Sequence, residues 1–282
     1  MPDAFDHCEA LVRTADKDRF FATLFAPAAR RRPLYALYAF NLEIARVREV
    51  VSEPLPGEIR LQWWRDALAG AAHGDVNAHQ VAAPLRATIV RYQLPVRRLI
   101  ELTEARIFDL YDEPMGSLAE LESYAAKTSS TLIELAARIL NEGSDPGIGA
   151  LTGHAGTAYA LAGLLRAFPV HAARRQLYVP LEILDRHGAL PEDVFAGRTT
   201  AELRAALAEI RARARHHLAA AGPLFEAVPA KLLAALLPVA LVHPLLDRMD
   251  KSDPFRAVDL PQWRRQWLIW RAARRGTAMI KQ

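Results

Sequence analysis

The chain has 282 residues, 51% hydrophobic and 24% charged, a balance that supplies a sizeable core and excludes disordered, collagen-like and disulfide-scaffold readings. Its one cysteine, Cys8, cannot pair within the chain and suits a reducing compartment. The net charge of +4 is weak, an Arg-for-Lys bias carries little functional weight, and no nucleic-acid partner is expected.

The N-terminus carries Asp3, Asp6 and Glu9, which fits neither a signal peptide nor a basic transit peptide. The longest apolar run, residues 232–242, contains Pro238 and falls short of the roughly 20 residues that span a bilayer. A cytoplasmic chain, or one peripheral at the inner membrane, is the expectation. Along the chain apolar residues recur at spacings of three and four, and sustained alternation is absent. Leu34, Leu37, Tyr38, Leu42 and Ala45 form one stripe, Ile59, Trp63 and Ala67 a second, and Leu118, Leu121, Tyr124, Ala125, Thr128, Leu132 and Leu135 a third.

Helix punctuation separates the stripes. Residues 54–57 (PLPG), 73–75, 114–117, 143–147 and 187–188 read as connections. Ser117 followed by Glu120 reads as a capping box that starts a helix. An all-α chain of ten or more helices follows, read as one domain over residues 1–282. Gly147-Ile148-Gly149 with Gly153 lacks the strand a dinucleotide loop requires and reads as a glycine-rich loop opening a helix.

Two clusters bear on function. Asp109, Asp112 and Glu113 are acidic; Asp109 and Asp112, three apart, share a helix face and offer oxygen ligands to magnesium, although a solvated helix end is the commoner meaning of such a run. The basic C-terminal helix, 261–275, places Trp263, Trp267 and Trp270 on one face among Arg264, Arg265, Arg271, Arg274 and Arg275; from Pro261 onward, with Lys281, there are six basic residues and no acidic one. Docking of the tryptophans into the core is the commoner arrangement, and peripheral contact with a lipid interface is the other.

Residues 31–53, RRPLYALYAFNLEIARVREVVSE, resemble the first signature of the squalene/phytoene synthase family. In order follow residues 61–68 (LQWWRDAL), Asp109 fifteen residues before Tyr124, and residues 156–180 (GTAYALAGLLRAFPVHAARRQLYVP), similar to the family's second Asp-rich region. The resemblance implies an isoprenoid-synthase-type helical bundle around a central cavity. Family synthases join two prenyl diphosphates with magnesium held by two Asp-rich helices. Here the aspartate positions fall on Ala45, Arg46 and Glu49, and on Ala167 and His171, while the preceding Gln and Asn fall on Ala160 and Gly163.

The resemblance therefore implies no metal and no catalytic residue. Arg46 repels a cation, and Pro169 is expected to kink or break the second helix. Tyr38, Asn41, Arg60, Trp64, Arg65, Asp109, Tyr124, Arg166 and Tyr178 are the candidates for binding an isoprenoid or lipid-like ligand, with Arg46, Arg60, Arg65 and Arg166 available for an anion without metal. FNLEIARVREVVSE, IRLQWWRDAL and LRAFPVHAARRQLYVP further resemble the non-catalytic branch of the family that acts in mitochondrial complex I assembly. This implies a membrane-bound respiratory complex as client. The alternative is an active prenyltransferase, which would need a displaced magnesium site built from Glu43, Glu49, Asp109 and Asp112.

Overall fold

The computed structural model describes residues 3–276, so Lys281 lies outside the described residues. Among these the regular structure is helical, with no strand. The helix Ala28–Ala45 lies at the centre: every residue from Pro33 to Phe40 is buried. A helix apolar around its whole circumference is enclosed on all sides. It packs on Ala4–Ala15, Ala82–Tyr92 and Thr131–Leu140. A second layer is built on the long helices Gly149–Ala173 and Ala201–Leu224, which run against each other.

Local sequence explains most boundaries. The glycine-rich loop opens the helix Gly149–Ala173 as expected. The helix Leu118–Ala125 starts after Ser117, whose hydroxyl accepts from the Glu120 N–H at 3.2 Å. Only half the expected capping box forms, because the Glu120 carboxylate turns to the Gly116 N–H at 2.8 Å. The third stripe is carried by Leu118–Ala125 and Thr131–Leu140, joined by a π-helical turn, Ala126–Ser130. That turn meets Gly156 so closely that a Cβ there would lie 2.4 Å from the Ser130 Cα.

Three expectations give way to the tertiary structure. Residues 54–57 are not a connection but the first turn of the helix Pro54–Ala69, since proline fits where the first N–H groups have no helical partner. The buried face of that helix runs through Leu61, Trp64 and Leu68, while Ile59 of the second stripe is 62% exposed. Trp64 wins the core position because it meets Phe40 ring to ring at 5.0 Å. Pro169 does not break its helix, which continues to Ala173. Proline removes one hydrogen bond, and so near the end of the helix few further turns depend on it.

The apolar stretch is also longer than the sequence suggests. The helical run Ala230–Asp250 has the length and mean hydropathy, 1.6, to cross a bilayer, yet 67% of its apolar 18-residue window is buried within the protein. It is accounted for as a core element.

The C-terminal helix Gln262–Arg275 docks through Ile269 and Ala272, with Leu268 partly buried beside them. Arg265 shares this face and bonds buried Asp18, Nε to Oδ1 at 2.8 Å, and Asp259 at 2.6 Å. The tryptophans therefore do not dock. Trp263, Trp267 and Trp270 are 69%, 46% and 47% exposed. At 100° per residue they occupy the side opposite Arg265, Ile269 and Ala272, so the helix cannot bury both faces.

Two stability outcomes follow. Gly156→Ala should cost about 2 kcal/mol or more in urea unfolding, since overpacking against backbone cannot be relieved by a rotamer change. Arg265→Ala leaves Asp18 buried and unpaired. It should lower stability by about 3 kcal/mol and open the chain after Leu260 to proteolysis.

Candidate functional site

A central cavity of about 520 Å³ opens between the N-terminal and long helices. It gathers three predicted residues, Asn41, Tyr124 and Arg166, with Ala160 and Gly163 on the wall supplied by the helix Gly149–Ala173. Sequence reasoning missed Arg19 and Arg106, which also line it. Arg19 reaches Asp16 at 2.6 Å and lies over the rings of Tyr38 and Tyr159 at 5.6 and 5.2 Å. Tyr38 is thus placed behind Arg19. The charged run Asp16-Lys17-Asp18-Arg19 was the available signal, but only the fold turns it inward.

Below this cavity Asp109 is buried, against the expectation of a solvated helix end, although Asp112 and Glu113 are exposed. Its carboxylate accepts from Tyr124 Oη at 2.8 Å and Tyr178 Oη at 2.7 Å. Arg106 Nη1 lies 3.2 Å away and also donates to Tyr124 Oη at 2.7 Å. Burial, with the Asp109 charge second, pushes the Tyr178 hydroxyl far above its ordinary range; burial also raises that of Tyr124. Both phenols stay protonated and donate. Asp112 does not share this face: the short 3₁₀ turn Phe108–Leu110 ends before extended Tyr111, and Asp112 meets Arg48 at 3.4 Å instead.

The residues expected at the two metal signatures do not form a magnesium ligand set. The helix carrying the first ends at Ala45, and Arg46 is its C-cap. Arg46 Nε donates to Glu49 Oε2 at 3.1 Å, and Arg174, just past the helix of the second signature, approaches Glu49 Oε1 at 4.0 Å. One guanidinium thus holds the carboxylate and a second stands at ion-pair distance from it. Ala167 offers no donor. His171 lies beside Tyr178, the rings tilted with centroids 4.6 Å apart, and burial pushes its imidazole down to about 4, so it is neutral at physiological pH. Magnesium requires several oxygen ligands in near-octahedral array, and these residues do not fit it. The displaced set is not assembled either, since Glu43, Glu49, Asp109 and Asp112 each face different partners.

Arg60 and Trp64 lie elsewhere, in a second cavity of about 520 Å³ that also contains Arg46, Glu43, Trp63 and His79. His79 Nδ1 accepts from the N–H groups of Val81 and Ala82 at 3.2 Å, which leaves Nε2 facing Glu43 at 3.6 Å. Arg65 belongs to neither cavity; it points toward Glu104 at 4.0 Å.

Burial pushes the Glu43 carboxyl up to about 7, with Arg60 pulling against it. The folded chain then holds this proton between its ordinary 4.5 and about 7, where the unfolded chain has released it. Its contribution to stability therefore falls as pH rises through that window. Glu43→Gln should match the parent in thermal melting near pH 5 and exceed it at pH 8, by on the order of 2 kcal/mol. In the network below the central cavity, Asp109→Asn leaves one phenol or Arg106 without its acceptor and should cost about 3 kcal/mol in urea unfolding at neutral pH.

The comparisons agree with this architecture. The family model for squalene/phytoene synthase matches residues 12–271. The chain is 31% identical over 253 residues to NADH dehydrogenase (ubiquinone) complex I, assembly factor 6, of Rattus norvegicus, covering 90% of this chain and 76% of that protein. It is 28% identical to a phytoene synthase of Thermus thermophilus, covering 93% and 90% of the two chains. The crystal structure of squalene synthase HpnC from Alicyclobacillus acidocaldarius superposes with a TM-score of 0.75 at 22% identity, over 88% of this chain and 93% of the other. The chain belongs to the squalene/phytoene synthase family.

Proposed function

We propose that this chain is a non-catalytic member of the family, an assembly factor for respiratory complex I that works at the cytoplasmic face of the inner membrane. The observation that carries the reading is the Arg46–Glu49–Arg174 ion-pair bridge between the two signature segments. Where two prenyl diphosphates would be ionised across magnesium, fixed positive charge meets a single engaged carboxylate. Leaving-group departure needs charge stabilisation by metal or an equivalent array of donors aimed at the developing anion.

Similarity to complex I assembly factor 6 supports the client. The central cavity supports a ligand role: Arg19, Arg106 and Arg166 at its wall, with Tyr124 and Asn41, suit an anionic, isoprenoid or lipid-like molecule held directly by guanidinium groups. Contact with the membrane is assigned to the exposed tryptophan face of the helix Gln262–Arg275.

Purified protein given farnesyl or geranylgeranyl diphosphate and magnesium should release no pyrophosphate. Magnesium-dependent release abolished by Glu49→Ala would reverse the reading in favour of an active prenyltransferase. In cells lacking the gene, NADH:quinone oxidoreductase activity of the membranes should fall. The parent chain and Glu49→Ala should restore it equally.

A further inference from the structure

A cavity larger than the central one lies elsewhere. A groove of about 710 Å³ runs between the helix Val242–Asp250 and the C-terminal helix Gln262–Arg275. Arg264, Arg271 and Arg275 recur at i, i+7 and i+11, so they form a single row along one wall. Arg248 and Lys251 stand on the opposite wall, and Trp267 lies at the rim with the Arg271 guanidinium 5.1 Å from its ring centroid.

The charge of this groove is uncompensated. None of these five cations pairs with a carboxylate among the described residues, whereas Arg265, one position from Arg264, is saturated by Asp18 and Asp259. The one carboxylate in the groove lining, Asp247, is engaged by Arg215 from outside the groove at 3.1 Å and by His243 of the lining at 2.9 Å, so it is not directed at the five cations. Five like charges facing one space repel one another, and among the described residues the fold keeps them there with no carboxylate paired to any of them. Guanidinium groups hold phosphate oxygens with paired, geometrically matched hydrogen bonds. Trp263 and Trp270 project on the exposed side of the same helix, where indole rings settle at the level of lipid headgroups.

We infer that this groove is a binding site for the phosphate of an anionic phospholipid within a bilayer, with Trp267 at its mouth and Trp263 and Trp270 in the interfacial layer. The occupant is chosen by charge complementarity together with the flanking tryptophans, which a freely dissolved anion would leave without a role. The inference rests on the membrane contact proposed above and makes it specific, since a diffuse basic surface needs neither Arg248 nor the second helix.

The test is co-sedimentation of the full chain with vesicles of phosphatidylcholine alone and of phosphatidylcholine with phosphatidylglycerol, at low and physiological salt. Circular dichroism checks the fold of each variant. The parent should bind only the anionic vesicles. Arg248→Ala, on the helix Val242–Asp250, should weaken binding by about fivefold or more, the loss of one cation at an anionic surface. Arg274→Ala removes the same charge from the C-terminal helix outside the groove, beside the Trp270 ring, and should weaken binding at least about twofold less than Arg248→Ala does. Equal losses from the two variants would overturn the groove while leaving a diffuse membrane contact in place. No binding of the folded parent to anionic vesicles at low salt would overturn both. Free glycerol phosphate bound as tightly as the anionic vesicles would overturn the lipid as occupant.

Discussion

A buried carboxylate must be satisfied on every side, and the Asp109 cluster is where this chain meets that constraint. Three donors converge on it from separate segments: Arg106 at the end of one helix, Tyr124 on the next, and Tyr178 beyond the long helix Gly149–Ala173. Gln176 adds a bond to the Asp109 carbonyl at 2.9 Å. An uncompensated charge here would be far costlier than the entropy of ordering its partners. The network therefore fixes where the 176–180 segment returns to the bundle. Tyr124 and Arg106 then present their remaining surfaces to the central cavity, so the floor of the candidate site is set by the same bonds that hold the fold.

The cavity and the signature positions are governed by different physics. The cavity is lined by arginines that are themselves anchored: Arg19 by Asp16 and two phenol rings, Arg106 by Asp109 and Tyr124. Anchoring reduces the conformational entropy lost when a ligand is held. The Arg46–Glu49–Arg174 bridge, in contrast, is solvated on all three members and contributes little to stability. Its importance is chemical, because it occupies with fixed positive charge the space between the two segments.

The C-terminal helix divides its circumference between two tasks. Arg265, Ile269 and Ala272 tie it to the protein, and the salt link to Asp18 joins it to the N-terminal helix Lys17–Thr23. Its opposite side carries the tryptophans, and the flank between them carries the arginines of the groove. The strongly amphipathic pattern thus has its apolar ring face outside and a mixed face inside, the reverse of a helix that serves only the core.

By itself the sequence determined the helical class, the order of the signature segments and the glycine-rich opening of the long helix. Each depends on short-range periodicity or on spacing that survives without coordinates. Several features were decided by tertiary structure alone. Trp63 and Trp64 are adjacent and equally apolar, and both meet His79, but only contact with Phe40 assigns Trp64 to the core. Asp109 and Asp112 read as one cluster until the turn after Leu110 buries the first and exposes the second. The side on which the C-terminal tryptophans face could not be read, since a stripe fixes which residues share a face and not what that face meets. Arg248 and Lys251 join Arg264 and Arg271 only when two helices are laid side by side, because nothing in local sequence encodes a long-range contact between charged residues.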